Sequence, residues 1–292
     1  MTGSDIAEVR RRYAEAMTAP LGAGAERIRA AFAAVPREAF LGPPPWRVRG
    51  AVASNPYDPA DLYADVLVVL DAAKHINNGS PALHAHMLQC LGTAPGEHVL
   101  HVGAGSGYYT AILAELVGPA GHVTAVEFDA DLAAAARENL RPWPQVTAVH
   151  GDGADYPTAT VQRIYVNFAL ARPADAWLDR LAVGGVLLFP LGAPDPHGRG
   201  EAARSTDRAA ILIVTRTATG FAAAFDWGVA FVFAEGRTAG DVALRRALWH
   251  AFARGETARV RSLHRAALPP ERSWLSSPQF SLGYDPPQEA SP

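Results

Sequence analysis

The sequence predicts an α/β fold: a doubly wound, mostly parallel sheet with helices before it, an antiparallel closing hairpin and a C-terminal extension. Three observations predict it. Short apolar runs alternate with helical stretches between residues 99 and 189, the pattern of βαβ units. The first run ends in a glycine cluster, Gly103, Gly105 and Gly107, and a helix-like stretch follows at once. The next two runs end in acids, Glu127 and Asp152, where open α/β sheets bind their ligands.

The elements follow in order. Residues 6–17 and 26–34 space their apolar side chains as helices do, with a Pro-Leu-Gly break between them. Residues 42–59 are rich in proline and glycine and read as a long connection placed to cover a site. Ser80 is a good N-cap with Pro81 behind it, so a helix starts there. Strands at 99–102, 122–126 and 146–150 alternate with helices at 108–116 and 129–140. A fourth strand at 163–167, a helix at 173–181 and a fifth strand at 186–189 continue the pattern. A polar loop at 193–207 leads to apolar strands at 210–215 and 221–233, joined by a Thr219-Gly220 turn. Residues 243–254 read as a helix, and the last dozen residues, with Pro286-Pro287, are expected to fray; the extension as a whole reads as packing on the sheet in preference to shielding the site or mediating dimerisation. The resulting division is 1–80 for the N-terminal helices and acceptor loop, 81–235 for the cofactor domain and 236–292 for the extension.

Composition narrows the function. With 49% hydrophobic and 19% charged residues in 292, the chain can bury a sizeable core and is not disordered. A formal net charge of -3 argues against nucleic acid or an anionic membrane as general partner. Arg10-Arg11-Arg12 reads as the solvated face of a helix. The lone Cys90, in an apolar segment, reads as core, excludes an internal disulfide and fits a reducing cytoplasm. No stretch approaches the ~18 apolar residues of a membrane span, and no signal-peptide core opens the chain. No His, Cys and acid cluster has zinc spacing, so no metal is expected.

The glycine cluster suggests the ligand. Glycines let a strand turn into a helix and let backbone approach a nucleoside. A dinucleotide fingerprint reads Gly-x-Gly-x-x-Gly, whereas here the third glycine comes one residue early and no lysine is nearby in the chain. That favours an adenosine ligand without phosphate, such as S-adenosylmethionine. Glu127 is placed to accept the ribose hydroxyls, and Asp152, between Gly151 and Gly153, to accept the adenine amine.

Several motifs, in order from Val35 to Ala234, resemble the protein-L-isoaspartate O-methyltransferase family. They are Val35-Pro36-Arg37-Glu38-Ala39-Phe40, Leu62-Tyr63-Ala64-Asp65, Ser80-Pro81-Ala82-Leu83-His84-Ala85, the run Val99 to Tyr108, Gly151-Asp152-Gly153 and the run Gly184 to Gly192. The resemblance implies a methyltransferase-type sheet that binds S-adenosylmethionine through His101, Gly103, Ala104, Gly105, Ser106, Glu127, Gly151, Asp152 and Gly153. It implies an acceptor side formed by Asn77, Asn78, Gly79, Ser80 and Asn167. There the sequence departs from the family. Its loop reads Thr-Ile-Ser-x-Pro, so Gly79 stands at the serine's place; His101 stands where an acid is usual, and Asn167-Phe168 where a small residue is.

Those departures predict a cytoplasmic carboxyl O-methyltransferase that is a poor isoaspartyl repair enzyme. Its acceptor would be a peptide aspartyl or isoaspartyl group, or a small-molecule acid. A carboxylate is ionised near pH 7 and needs no general base. An amine or hydroxyl acceptor would need one, and His75, His84 and His86 are the candidates, with His84 and His86 on opposite sides of one helix. The other reading is an inert S-adenosylmethionine-binding regulator or scaffold. The packing of His101 under the glycine loop matters to both, because a cation there would repel a sulfonium.

Overall fold

The computed structural model describes residues 3–49, 55–198, 204–206 and 208–287. The chain divides into two compact units, 1–152 and 153–292. The first opens with α1 (Gly3–Thr18) and α2 (Glu26–Ala34), which pack on each other through buried Tyr13, Ala14, Met17, Ile28 and Phe32. Arg11 and Arg12 on α1 pair with Glu8 at the surface. Arg10 does not belong to that solvated face: its Nε donates to the Tyr63 hydroxyl at 3.1 Å.

Of the connection expected at 42–59, Val48–Arg49 forms β1, which joins β2 (Leu67–Asp71) and β3 (Ile76–Asn77) in a small antiparallel sheet that the sequence reading missed; residues 50–54 lie outside the described set. Leu41, Leu62, Val66 and Val68 supply its core, and the continuous apolar run Val66 to Leu70 shows no strand alternation. Helix α3 (Pro81–Leu91) starts as expected. Ser80 Oγ accepts from Leu83 N at 3.3 Å, and Gly92 ends the helix at φ 64°, a left-handed cap that glycine adopts without strain. Then come β4 (His98–Val102), α4 (Tyr108–Val117), β5 (His122–Glu127), α5 (Ala130–Asn139) and β6 (Val146–His150). The three strands are parallel in the order β4-β5-β6. Helix α4 is buried on every side except at Glu115, which its apolar composition requires.

The second unit holds β7 (Val161–Val166), α6 (Asp175–Arg180), β8 (Leu181–Ala193), β9 (Arg208–Arg216), β10 (Phe221–Val229), α7 (Val242–Arg254), β11 (Ser262–His264), β12 (Ser273–Ser276) and β13 (Ser281–Gly283). Strands β7 and β8 are parallel, and β8-β9-β10 form the antiparallel closing meander. Its last turn is closed by Thr217 N to Gly220 O at 2.8 Å. Helix α6 is shorter than expected and β8 longer, because the chain leaves the helix directly into the strand. Strand β10 ends at Val229, after a register shift between Phe225 and Gly228.

The extension holds the expected helix, α7, and more strand than expected; residues 288–292 of the expected frayed tail lie outside the described set. The extension adds β11, β13 and β12, in that order, beyond β10, and β13 lies within the stretch expected to fray. The reason is burial: Phe225 of β10, Phe252 of α7 and Trp274 of β12 meet edge to face with centroids 4.9–5.7 Å apart. Such contacts add to the area they bury. Arg208 also stacks on Trp249 of α7 at 4.1 Å. Among the described residues no helix is long and apolar enough to cross a membrane.

Candidate functional site

The glycine loop joins β4 to α4. Gly103, Gly105 and Gly107 have φ of 75°, 57° and 101°, left-handed values that L side chains rarely adopt. The loop is anchored at its root: the Gly103 and Ala104 amides donate to Val126 O at 2.9 and 3.2 Å. At its far end Asn139 Nδ2 donates to Ser106 O at 3.0 Å, a bond that the sequence reading missed. The glycines differ in purpose. A β-carbon on Gly107 would meet Leu140 Cδ1 at 2.9 Å, whereas on Gly105 it would find only Leu70 Cδ1, at 3.8 Å. Gly107 is there for packing, and Gly105 keeps the surface of the loop open.

Glu127 closes β5 and is 9% exposed. Its two oxygens are held apart by backbone: Gly105 N donates to Oε2 at 2.7 Å and Asp129 N to Oε1 at 2.9 Å. A carboxylate offers about four acceptor positions, so acceptor capacity is left for a ligand. Burial pushes the Glu127 carboxyl up from its ordinary value, and the backbone amides of Asp129, Gly105 and Phe128 pull the other way. Phe128, the next residue, is 63% exposed, and its carbonyl contacts His150 Nε2 at 3.2 Å. An exposed aromatic beside a buried carboxylate offers a face on which a planar ring can stack. Only its exposure marks it out. Gly151 N is bound to Glu127 O at 2.9 Å, and Asp152 follows half-buried. Gly153 opens the second unit, where its carbonyl accepts from Trp177 Nε1 at 2.9 Å.

His101 is fully buried and its Nδ1 lies 2.8 Å from Thr110 Oγ1 of α4. Burial pulls its pKa down to about 3, so the ring is neutral near pH 7 and repels no cation. His84 is also fully buried, stacked on Tyr109 with centroids 3.7 Å apart, and burial holds its pKa well below the ordinary value.

The acceptor segment is built differently. Asn77 Oδ1 accepts from Gly79 N at 2.9 Å, a local turn. Asn78 is buried, and its Oδ1 accepts from Val68 N at 3.0 Å and from Arg37 Nη2 at 3.2 Å. Ser80 Oγ donates to Asp65 Oδ1 at 2.6 Å, and Ala82 N donates to the same oxygen at 3.1 Å. Gly79 has φ 75°, and a β-carbon there would lie 2.3 Å from His84 Nε2. A serine at position 79 requires the His84 ring to shift. Asn167, half-buried, follows β7 in the second unit.

Arg37, whose role the sequence did not disclose, organises this segment. Fully buried, it donates to Leu62 O, to Ala64 O at 3.0 Å and to Val66 O at 2.7 Å, besides Asn78. Its backbone N donates to the Tyr63 hydroxyl at 3.1 Å, and that hydroxyl bonds Glu38. The segments at 35–40 and 62–65 are thus one scaffold, and Asn78 is fastened to it.

A family model described as protein-L-isoaspartate(D-aspartate) O-methyltransferase matches residues 21–222, which leaves most of β10 and all that follows beyond it. The protein-L-isoaspartate O-methyltransferase of Aeropyrum pernix is 40% identical over 174 residues, 58% of this chain and 61% of the relative. That of Ignicoccus hospitalis is 38% identical over 133 residues, 44% of this chain and 62% of the relative. The match thus spans about three fifths of the length of these two relatives. A solved protein-L-isoaspartate O-methyltransferase superposes with TM-score 0.64 at 21% identity, covering 78% of this chain and 67% of that one. A Plasmodium falciparum structure, described as a beta-aspartate methyltransferase in complex with S-adenosyl-L-homocysteine, gives 0.59 at 16% identity over 78% and 99% of the two chains. At these identities the structural likeness shows the fold: an α/β sheet of the methyltransferase type.

Proposed function

The chain belongs to the protein-L-isoaspartate(D-aspartate) O-methyltransferase family, and from that premise we propose that it methylates a carboxylate, forming a methyl ester on an aspartyl or isoaspartyl group of a peptide or protein. The observation that carries the proposal is Glu127: a buried carboxylate, fixed by two backbone amides, beside a loop whose middle glycine leaves room for a nucleoside. When bound, S-adenosylmethionine supplies a methyl group activated by a sulfonium. Glu127 accepts the ribose hydroxyls, Phe128 offers its ring to the adenine, and Asp152 accepts the exocyclic amine.

An acceptor carboxylate is already ionised near pH 7, so no side chain has to remove a proton. What remains is positioning and exclusion of water. Neutral His101 and His84 suit that task, since a cation under the loop would oppose a sulfonium. Gly79 offers no hydroxyl, and the space a side chain would take belongs to His84. Both facts support the reading of a poor isoaspartyl repair enzyme.

The test is methyl transfer to an isoaspartyl peptide and its aspartyl twin, followed by release of methanol from the ester in mild base. Calorimetry with S-adenosylhomocysteine accompanies it. Glu127→Ala is expected to weaken nucleoside binding by about 1.5–3 kcal/mol, at least tenfold. Unchanged affinity removes Glu127 from the site, and tight NAD binding overturns the cofactor. Efficient turnover selective for isoaspartate refutes the poor-repair reading, and methylation of free small acids alone refutes a peptide acceptor.

A further inference from the structure

The β2–β3 turn carries a lysine that the sequence gave no reason to connect with the nucleoside site. Asp71 Oδ1 accepts from Ala73 N at 2.8 Å and Lys74 N at 3.1 Å, which sets the turn. The Lys74 ammonium bonds Asp129 Oδ2 and lies 3.6 Å from Asp71 Oδ2. Asp129 is bound on its remaining sides. Its Oδ1 caps α5 through Asp131 N at 3.0 Å and Leu132 N at 3.1 Å, and its own N donates to Glu127 Oε1 at 2.9 Å. Leu70, on the same hairpin, supplies the one atom near the open face of Gly105.

We propose that Lys74 is a positioning residue for the nucleoside carboxylate: by pairing with Asp129 it fixes the amide that holds Glu127 Oε1 and cancels the anion two residues away. The inference rests on the reading of Glu127 as the ribose acid. Stability is a poor explanation for the pair. The Lys74 side chain is half exposed, and exposed ion pairs contribute little to folding. Charge balance is a better one. The Asp129 charge pushes the Glu127 carboxyl up, in the same direction as burial, and a protonated Glu127 loses one acceptor position for the ribose. The titratable groups on the adjoining segments are Asp71, which shares Lys74 with Asp129, Asp131, whose amide Asp129 caps, His150, the register partner of Glu127 on β6, and Asp152, two residues further along the chain.

The experiment is calorimetric titration of the full chain with S-adenosylhomocysteine between pH 5 and 8, with the thermal midpoint of the unligated protein measured alongside. Lys74→Met is expected to raise Kd about three- to tenfold at pH 7 and to move the acid-side loss of binding to higher pH. The unligated midpoint is expected to stay within about a degree or two of the parent. Lys74→Arg is expected to restore most of the affinity. The double variant Lys74→Met, Asp129→Asn keeps the helix cap and removes the anion, so its pH profile is expected to return toward the parent's. Binding that depends on Glu127 but ignores Lys74→Met in both affinity and pH profile overturns the role of Lys74 and leaves the cofactor reading intact. A parent protein that binds no nucleoside overturns both.

Discussion

Residues 103–107 and 77–80 are both short glycine-containing turns leading into helices, yet they spend their polar groups differently. In the glycine loop the bonds are mostly backbone to backbone, at its root on Val126, and Glu127 is held by amides that leave lone pairs over. In residues 77–80 the side-chain oxygens are engaged within the protein: Asn77 Oδ1 by Gly79, Asn78 Oδ1 by Arg37 and Val68, Ser80 Oγ by Asp65 and its own helix, while Asn78 Nδ2 is buried without a hydrogen-bond partner. The first region is a prepared surface and the second a fastening. Polar residues at a site therefore need not face a ligand, and the side chains of 77–80 act chiefly by setting the backbone there.

The largest effect that would sharpen this contrast is expected at Gly79. Gly79→Ser places a β-carbon 2.3 Å from His84 Nε2 at a φ of 75°. Backbone strain and overpacking together are expected to cost about 3–5 kcal/mol, read by urea unfolding. Adding His84→Ala is expected to recover part of that loss. A stable, soluble single variant would show that His84 yields easily and that the segment is less fastened than its bonds imply.

Asn78→Ala comes next. It leaves the Val68 amide and one guanidinium N–H of Arg37 buried without their acceptor, at a cost of about 2–4 kcal/mol. Its effect on kcat per folded molecule is expected to be small. A stable variant with collapsed kcat would reverse the assignment and put Asn78 against substrate.

The smallest effect is in pH. Burial holds His101 down to about 3 and His84 well below 6.5, so below pH 6.5 the unfolded chain binds protons that the folded chain refuses. Stability is therefore full above 6.5 and falls as the pH drops toward 3, by about 1 kcal/mol per histidine over the first unit. Denaturant midpoints at pH 7 and 5.5 measure this. Between pH 6.5 and 8.5, kcat/KM is expected to stay nearly flat, since neither buried ring nor an acceptor carboxylate titrates there. A rise with pH that disappears in His75→Gln would bring a general base into the site and remove the carboxylate acceptor.

The two regions also differ in how far the sequence disclosed them. The glycine loop, the acid closing β5 and the cap of α3 were legible because they are local: a left-handed φ, a strand end and an N-cap each declare themselves within a few residues. The small β1–β3 sheet was not legible, since its strands are short and its apolar residues show no period. Strands β11–β13 were hidden because their order comes from Phe225, Phe252 and Trp274 meeting in space. The sequence by itself determined the sheet, the glycine loop and the place of Glu127 at the end of β5. Only the tertiary structure decided what Asn78, His84 and Lys74 do. The partners of Asn78 and Lys74 lie 41 and 55 residues away, and a side chain at Gly79 would meet a ring of the next helix. Such pairings follow from burial and chain packing, for which no local spacing rule exists.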